Sequence, residues 1–298
     1  MAEQVEVFVH AGAHRTGTSS FQMCLDENAE GLRAAGYDLA YPGRDGIPGG
    51  KLKMKLPSPR HGRGKAREFI APARAQIDKL RQGRARLILS EENIPGRMLH
   101  FTQGRFYPAR ENRLRVLREA LPGPVAHLVY VLRPYDELFV SAYRKRAEDI
   151  AVEPFSFFVP GLMSVTDGWP DLMAAFRDLL HPARITVVTY AARGSSRDLL
   201  ARLVPNLDAD GLSEPDRQLN LSPTDAALEE LQRRYHAGET LDKTEFRAVM
   251  ERHAANRDSL GLAAFSDADR ARLKARYASD LARLRAMPGI TLIETTAA

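Results

Sequence analysis

The sequence predicts an α/β fold, a three-layer sandwich with a central, mainly parallel sheet and a helical C-terminal part. Short apolar runs alternate with longer stretches in which apolar residues recur at helical spacing. Because helices usually form the crossovers between parallel strands, this alternation predicts helices on both faces of the sheet. The predicted strands are four apolar runs, at residues 5–10, 87–89, 128–132 and 185–189.

The stretches between these runs have the periodicity of amphipathic helices. In the last third of the chain, Ser222 and Ser266 each precede an acidic residue by three positions, a pattern typical of helix N-caps. We therefore expect a helical part over residues 222–285. The other predicted helices are marked by Phe21, Leu25, Ala29 and Leu32, by Leu114, Leu117 and Leu121, by residues 138–146, and by Leu172, Met173, Phe176, Leu179 and Leu180.

Length and composition predict one folded domain over residues 1–298. With 44% hydrophobic and 27% charged residues, the chain is neither disordered nor a coiled coil, and it is long enough to bury one large core. The acidic residues Glu3 and Glu6 stand where a signal peptide carries positive charge, and no apolar run approaches the ~20 residues of a membrane span. The single cysteine, Cys24, agrees with a reducing compartment. We expect a cytoplasmic protein without a transmembrane segment.

The net charge of +5 comes from one segment. Residues 44–67 contain eight basic side chains and one acidic one, whereas the other 274 residues carry 35 basic and 37 acidic side chains. The segment is also rich in Gly and Pro, which predicts a long loop or flap. Three roles are open for the basic segment: it closes over a charged ligand, it attracts an anionic acceptor, or it stays solvated. Because the charge is local, we expect no nucleic-acid partner.

A glycine loop follows the first predicted strand. Gly12 and Gly17 have the spacing of the phosphate loop in P-loop NTPases, whose backbone N–H groups and following helix hold a phosphate. Those enzymes have lysine directly after the second glycine, where this chain has Thr18; the cation here is Arg15. We find no strand ending in a magnesium-binding Asp. The loop predicts a P-loop-like anion site without a required metal, formed by His14, Arg15, Thr16, Gly17, Thr18 and Ser19.

A second candidate anion site follows the third predicted strand. Arg133 stands at the end of that strand, Pro134 favours a turn, and Ser141 comes eight positions after the arginine. If the chain turns at Pro134, Arg133 and Ser141 converge on one phosphate. The alternative is that both are ordinary surface residues of a helix.

Residues 10–22 and 133–144 together resemble sulfotransferases that use 3′-phosphoadenosine 5′-phosphosulfate (PAPS), especially the bacterial branch related to glycan and heparan sulfotransferases. The first segment is similar to their 5′-phosphosulfate loop, although Arg15 replaces the usual lysine and keeps its charge. The second is similar to their 3′-phosphate motif. The resemblance implies metal-independent transfer of a sulfuryl group from PAPS to a hydroxyl or amine, with 3′,5′-adenosine bisphosphate (PAP) as product. The acceptor would be a small molecule, a glycan or a lipid.

Such a transfer needs a general base beside the loop. Glu91 and Glu92 follow the second predicted strand, and the resemblance implies a base at this position. The match favours Glu91, but Glu92 stands where the family has lysine, so the choice between them is open. Adjacent acids could also simply begin a helix. His14 is a third candidate, because a histidine in the loop can titrate near neutral pH.

The acceptor and the oligomeric state are poorly specified. Residues 97–115 mix aromatic and basic side chains and are a candidate acceptor wall, with a surface helix and loop as the alternative. Two other function classes stay open: a P-loop nucleotide kinase or hydrolase, and a noncatalytic polyanion-binding protein that uses residues 44–67. The proposed wall includes His100, Phe101, Arg105, Phe106, Tyr107 and Arg110.

Overall fold

The computed structural model describes residues 4–216 and 222–295, and within them it contains one six-stranded sheet. The strand order is β2-β3-β1-β4-β5-β6, and every neighbouring pair is parallel. The carboxyl ends of all the strands therefore meet at one edge. The strands are β1 (Glu6–His10), β2 (Tyr37–Ala40), β3 (Arg86–Ser90), β4 (Val125–Leu132), β5 (Ile185–Thr189) and β6 (Ile290–Ile293).

Helices connect the strands and form the C-terminal part. They are α1 (Thr18–Glu27), α2 (Ala29–Ala34), α3 (Arg63–Ala66), α4 (Ile70–Asp78), α5 (Arg110–Ala120), α6 (Tyr135–Asp149), α7 (Phe155–Met163), α8 (Trp169–Ala175), α9 (Ser196–Leu203), α10 (Asp225–His236), α11 (Lys243–Arg252) and α12 (Asp267–Arg285). Short 3₁₀ turns occupy Arg44–Gly46, Arg67–Phe69, Met98–Gln103 and Tyr190–Ala192, and a π-helical turn occupies Phe176–Leu180.

Apolar side chains extend from both faces of the sheet into two separate cores. Val7 and Leu87 belong to the core under α4, α5 and α8, whereas Phe8 and Ile88 belong to the core under α1 and α9. This alternation follows from the period of two residues along a strand. The strands β1 to β5 are buried almost throughout, as expected for a parallel sheet between helices. The predicted α/β class with a mainly parallel sheet is confirmed.

The four predicted strands match β1, β3, β4 and β5, and the sequence reading missed β2 and β6. The missed strand β2 contains Asp38, a buried acid that interrupts the apolar pattern and pairs with Arg84 at 2.9 Å. The missed strand β6 is only partly buried. The predicted C-terminal helices are present as α10, α11 and α12.

The two predicted helix caps have different outcomes. Ser266 caps α12 and accepts a hydrogen bond from the backbone N–H of Asp269. The predicted cap Ser222 is wrong. Thr224 caps α10, where its hydroxyl accepts from the N–H of Ala227 at 3.2 Å. The helix begins two residues later than predicted, and the Ser222 hydroxyl accepts a hydrogen bond from a side chain elsewhere in the fold.

The basic segment 44–67 is anchored to the core and is not a free flap. Leu52 and Leu56 are buried in the core. The buried Arg113 guanidinium donates to the carbonyls of Leu56 at 3.1 Å, Pro57 at 2.6 Å and Ile94 at 2.9 Å. Burial lowers the pKa of Arg113 to about 10, so the side chain is still charged at neutral pH. One buried cation therefore ties the middle of the segment to α5.

The cap assignment predicts unequal effects of two neighbouring substitutions. Thr224→Ala should lower the free energy of unfolding by about 1 kcal/mol, because an N-terminal N–H of α10 loses its acceptor. Ser222→Ala should change it by less than ~0.5 kcal/mol, as expected for a surface position. Urea denaturation of both variants measures the difference. Equal losses, or a larger loss for Ser222→Ala, would show that the cap is misassigned.

Candidate functional site

A cleft of about 810 Å³ lies at the carboxyl edge of the sheet. The loop after β1 forms one side, and residues that follow β3, β4 and β5 form the others. This volume is within the ~300–1,000 Å³ typical of small-molecule sites, and the crevice beyond the strand ends is where open α/β sheets bind ligands. The lining from the later strand exits includes Glu92, Asn93, Arg133, Tyr190 and Arg193.

The loop after β1 needs glycine at both ends. Gly12 and Gly17 have φ angles of 106° and 84°, in the region that favours glycine. A Cβ added to Gly12 would lie 3.3 Å from the Cα of Glu92, and one added to Gly17 would lie 3.0 Å from the Arg193 guanidinium. The two glycines therefore allow the residues that follow β3 and β5 to approach the loop backbone.

Two threonine hydroxyls brace the loop from inside. Those of Thr16 and Thr18 both donate to the carbonyl of Ala13, at 2.7 and 3.1 Å, and both residues are buried. The helix α1 begins at Thr18, so the N–H groups of its first turn point out of the helix start without intrahelical acceptors. The threonine hydroxyls therefore stabilise the loop conformation. The groups that can bind an anion here are the backbone N–H groups at the start of α1.

The structure brings the two sequence motifs together. Arg15 donates from Nε to the Ser141 hydroxyl at 2.9 Å and from Nη2 to the Ser222 hydroxyl at 2.5 Å. Arg133 donates from Nη1 to the carbonyl of Arg15 at 2.8 Å. Its guanidinium also pairs with Glu137 at 3.2 Å. Arg133 and Ser141 therefore contact the same loop residue, Arg133 at its backbone carbonyl and Ser141 at its side chain.

The sequence reading missed Arg193, which follows β5. Its Nη2 donates to the carbonyl of Gly17 at 3.2 Å and to the Ser196 hydroxyl at 3.1 Å. Burial lowers the pKa of this guanidinium, and its Nε is a buried donor without a partner among the described residues. The rule that identified Arg133, an arginine shortly after a strand that ends at the carboxyl edge, would also have identified Arg193.

Glu91 and Glu92 have different surroundings. Glu91 is 3% exposed, and both its carboxylate oxygens accept from Arg44 Nη2, at 2.6 and 2.5 Å. Its Oε1 also accepts from the backbone N–H of Asn93 at 2.8 Å and from Asn93 Nδ2 at 2.9 Å. Glu92 lines the cleft and pairs with Arg44 Nη1 at 3.1 Å. Of the two carboxylates, Glu92 is therefore the one that faces the cleft.

Hydrogen bonds define the tautomer of His14. Because Asn93 Nδ2 donates to Glu91, Asn93 Oδ1 is the acceptor that lies 3.1 Å from His14 Nε2. Nε2 therefore carries a proton. The Tyr107 hydroxyl lies 3.4 Å from His14 Nδ1 and donates a hydrogen bond to it. His14 is buried, at 6% exposure. Both ring nitrogens are engaged, which weakens His14 as a candidate base.

The aromatic residues of the expected acceptor wall lie in the core instead. Phe101, Phe106 and Tyr107 are buried and pack against one another, with ring centroids 4.8–5.1 Å apart. Large aromatic rings bury more apolar area in the core than on a cleft wall, which is the physical reason why these three side chains do not form the acceptor wall. The turn Met98–Gln103 and α6 form the walls of the cleft beyond the loop. The lining residues are Arg97, just before the turn, then Met98, Leu99 and Thr102 in the turn, and Ala142, Tyr143, Lys145, Arg146 and Asp149 on α6.

Comparison with known proteins does not identify a family. No protein-family model matches the chain, and no curated protein matches it. Within residues 4–216 and 222–295, no group of three His, Cys, Asp or Glu side chains is placed to hold a metal ion. None of the helices described is long and apolar enough to cross a bilayer. The geometry of the cleft is therefore what indicates a function.

Two glycine substitutions test the close contact at the loop. Gly17→Ala and Gly36→Ala should each lose about 1–2 kcal/mol of stability, because φ is 84° at Gly17 and 88° at Gly36. A Cβ on Gly36 meets no described atom within 4 Å, whereas one on Gly17 displaces Arg193. Only Gly17→Ala should weaken anion binding, by about tenfold or more.

Thermal-shift titrations with inorganic sulfate measure this anion binding, and urea denaturation measures the stability of both variants. Equal sulfate affinity in the two variants would show that the contact between Gly17 and Arg193 has no part in the site.

Proposed function

We propose that this protein is a PAPS-dependent sulfotransferase that transfers a sulfuryl group to a hydroxyl or amine. One observation carries the proposal: three arginines, Arg15, Arg133 and Arg193, meet around loop residues 15–17, although they follow three different strands. The glycine loop after β1 and the parallel sheet support a P-loop-like fold. The acceptor would be a small molecule, a glycan or a lipid, in the cytoplasm, with no nucleic acid involved.

The cleft has cations for two separate anionic groups. The N–H groups at the start of α1 and the Arg15 side chain suit the 5′-phosphosulfate. Arg133, just after β4, and Ser141, on α6, both contact Arg15 and suit the 3′-phosphate. Arg193 adds a guanidinium whose buried Nε has no partner among the described residues. This donor set fits a bisphosphorylated nucleotide better than a single phosphate.

PAPS, when bound, supplies the sulfuryl group and a phosphate leaving group. Glu92 would take the proton that the acceptor loses as its oxygen or nitrogen bonds to sulfur. Arg15 and the loop N–H groups would neutralise the negative charge that develops on the phosphate oxygen as its bond to sulfur breaks. Glu91 is bound to Arg44 and Asn93, so we assign it a positioning role, holding Arg44 against Glu92 and Asn93 against His14.

The alternatives have less support. A P-loop kinase or hydrolase uses a loop lysine on the phosphates, and the residue at that position, Thr18, donates its hydroxyl to the Ala13 carbonyl. A noncatalytic polyanion binder would use residues 44–67 alone, but Arg44 at the start of this segment is paired with Glu91 and Glu92 in the cleft. Calorimetry with PAP and with ATP plus magnesium separates the kinase alternative from the sulfotransferase proposal.

Isothermal titration calorimetry with PAP tests the proposed nucleotide site. Binding should persist in excess EDTA, and Arg133→Ala should weaken it about tenfold or more through the loss of a charge-assisted contact. Arg177→Ala is the matched control, because Arg177 pairs with its neighbour Asp178 outside the cleft. Binding of ATP with magnesium, without any PAP binding, would replace the sulfotransferase proposal by the kinase alternative.

Substitution of the two carboxylates tests the base assignment. Glu92→Gln should lower sulfate transfer by about 10²–10⁴-fold at unchanged PAP affinity, because the amide cannot accept the proton. Glu91→Gln should affect transfer less and should also loosen the pairing with Arg44. Release of PAP from PAPS, in the presence of glycan, lipid and phenolic acceptors, measures the rate. Turnover near that of the wild type in both variants would remove both residues from the role.

A further inference from the structure

A second cleft, of about 380 Å³, lies away from the candidate site. It is formed by the segment around α3, by α5, and by the end of the π-helical turn at residues 178–181. Arg118 and His181 also line a neighbouring hollow together with Gln4, which lies two residues before β1, and Val125, the first residue of β4. The second cleft is therefore near the amino edge of the sheet, opposite the glycine loop.

The second cleft has an apolar floor and a cationic rim. Ala66 and Val116 are buried at its base, and Ile70 and Leu179 extend the apolar surface. The rim carries arginines from two different elements. Arg63 and Arg67 come from the basic segment, and Arg115 and Arg118 come from α5.

The four rim arginines form no ion pair within the part of the chain that the structure describes, where none of their guanidinium groups meets a carboxylate. Two acidic residues, Asp178 and Glu119, also line the second cleft. Asp178 accepts from Arg177 at 2.7 and 3.1 Å, so Glu119 is the acidic residue of the lining that can offset the charge of the rim arginines. Four like charges around one concave surface repel one another and raise the local concentration of anions.

The walls of the cleft are held in place without a ligand. Asn112 on α5 donates from Nδ2 to the carbonyl of His61, just before α3. One position further along α5, Arg113 binds the carbonyls of Leu56 and Pro57. The segment that carries Arg63 and Arg67 is therefore fixed against the helix that carries Arg115 and Arg118. Such pre-organisation lowers the entropy cost of binding.

We propose that this second cleft binds an organic sulfate or phosphate monoester. The tetrahedral oxyanion would contact the arginines, whose planar forks match sulfate and phosphate oxygens, and the apolar body of the ligand would lie on Ala66, Ile70 and Val116. The proposal does not depend on the function proposed for the first cleft. It assigns a role to the part of the basic segment that does not reach the glycine loop.

Titration with p-nitrophenyl sulfate and with p-nitrophenyl phosphate tests this site, with binding followed by protein NMR or calorimetry on the full chain. The double variant Arg67→Ala/Arg115→Ala should bind the preferred ester about tenfold more weakly than wild type. Both side chains are at the surface or half-buried, so the double variant should keep the wild-type melting temperature. The charge-retaining variant Arg67→Lys/Arg115→Lys should recover part of the affinity.

One single variant controls for unspecific loss of positive charge. Arg247→Ala removes an exposed cation from α11 and should leave ester binding within twofold of wild type. Binding of either ester supports the site, and the tighter ester identifies the preferred oxyanion. The proposal fails if neither ester binds, if neutral p-nitrophenol binds as tightly as the esters, if the double variant binds the esters as tightly as wild type, or if Arg247→Ala weakens binding as much as the double variant.

Discussion

The hydrogen bonds that hold β1 between β3 and β4 position the whole candidate site. At the last residue of β1, the His10 carbonyl accepts from the N–H of Glu91 at 3.0 Å, and just beyond the strand the Gly12 carbonyl accepts from the N–H of Val131 at 2.8 Å. The glycine loop therefore starts at a fixed height relative to both neighbouring strands. Glu92 and Arg133 reach the loop because the strands that precede them end at the same edge.

Arginine has three different roles in this molecule. Around the loop, Arg15, Arg133 and Arg193 bind loop carbonyls or hydroxyls and are near a cleft that can hold an anion. Arg44 neutralises two carboxylates at the same cleft. Arg113 is a buried cation that binds backbone carbonyls and fixes the basic segment. The net charge of the chain therefore reports little about its ligands, since each arginine has its own surroundings.

The local sequence predicted what depends on local pattern. The strands β1, β3, β4 and β5, the loop and the turn after Arg133 all follow from apolar periodicity and from the special backbone properties of Gly and Pro. Side-chain partners depend on which elements become neighbours, so the sequence did not reveal that Asn93 joins Glu91 to His14. For the same reason, the sequence did not show that Phe101 is buried in the core and is not part of a cleft wall.

A double-mutant cycle on PAP binding tests most directly whether the arginines around the loop act as one site. Calorimetry would compare wild type, Arg133→Ala, Arg193→Ala and the double variant. Because both arginines bond to backbone carbonyls of the same loop, their effects should be coupled by about 0.5–3 kcal/mol. Full PAP affinity in both single variants, or strictly additive losses, would contradict a shared nucleotide site.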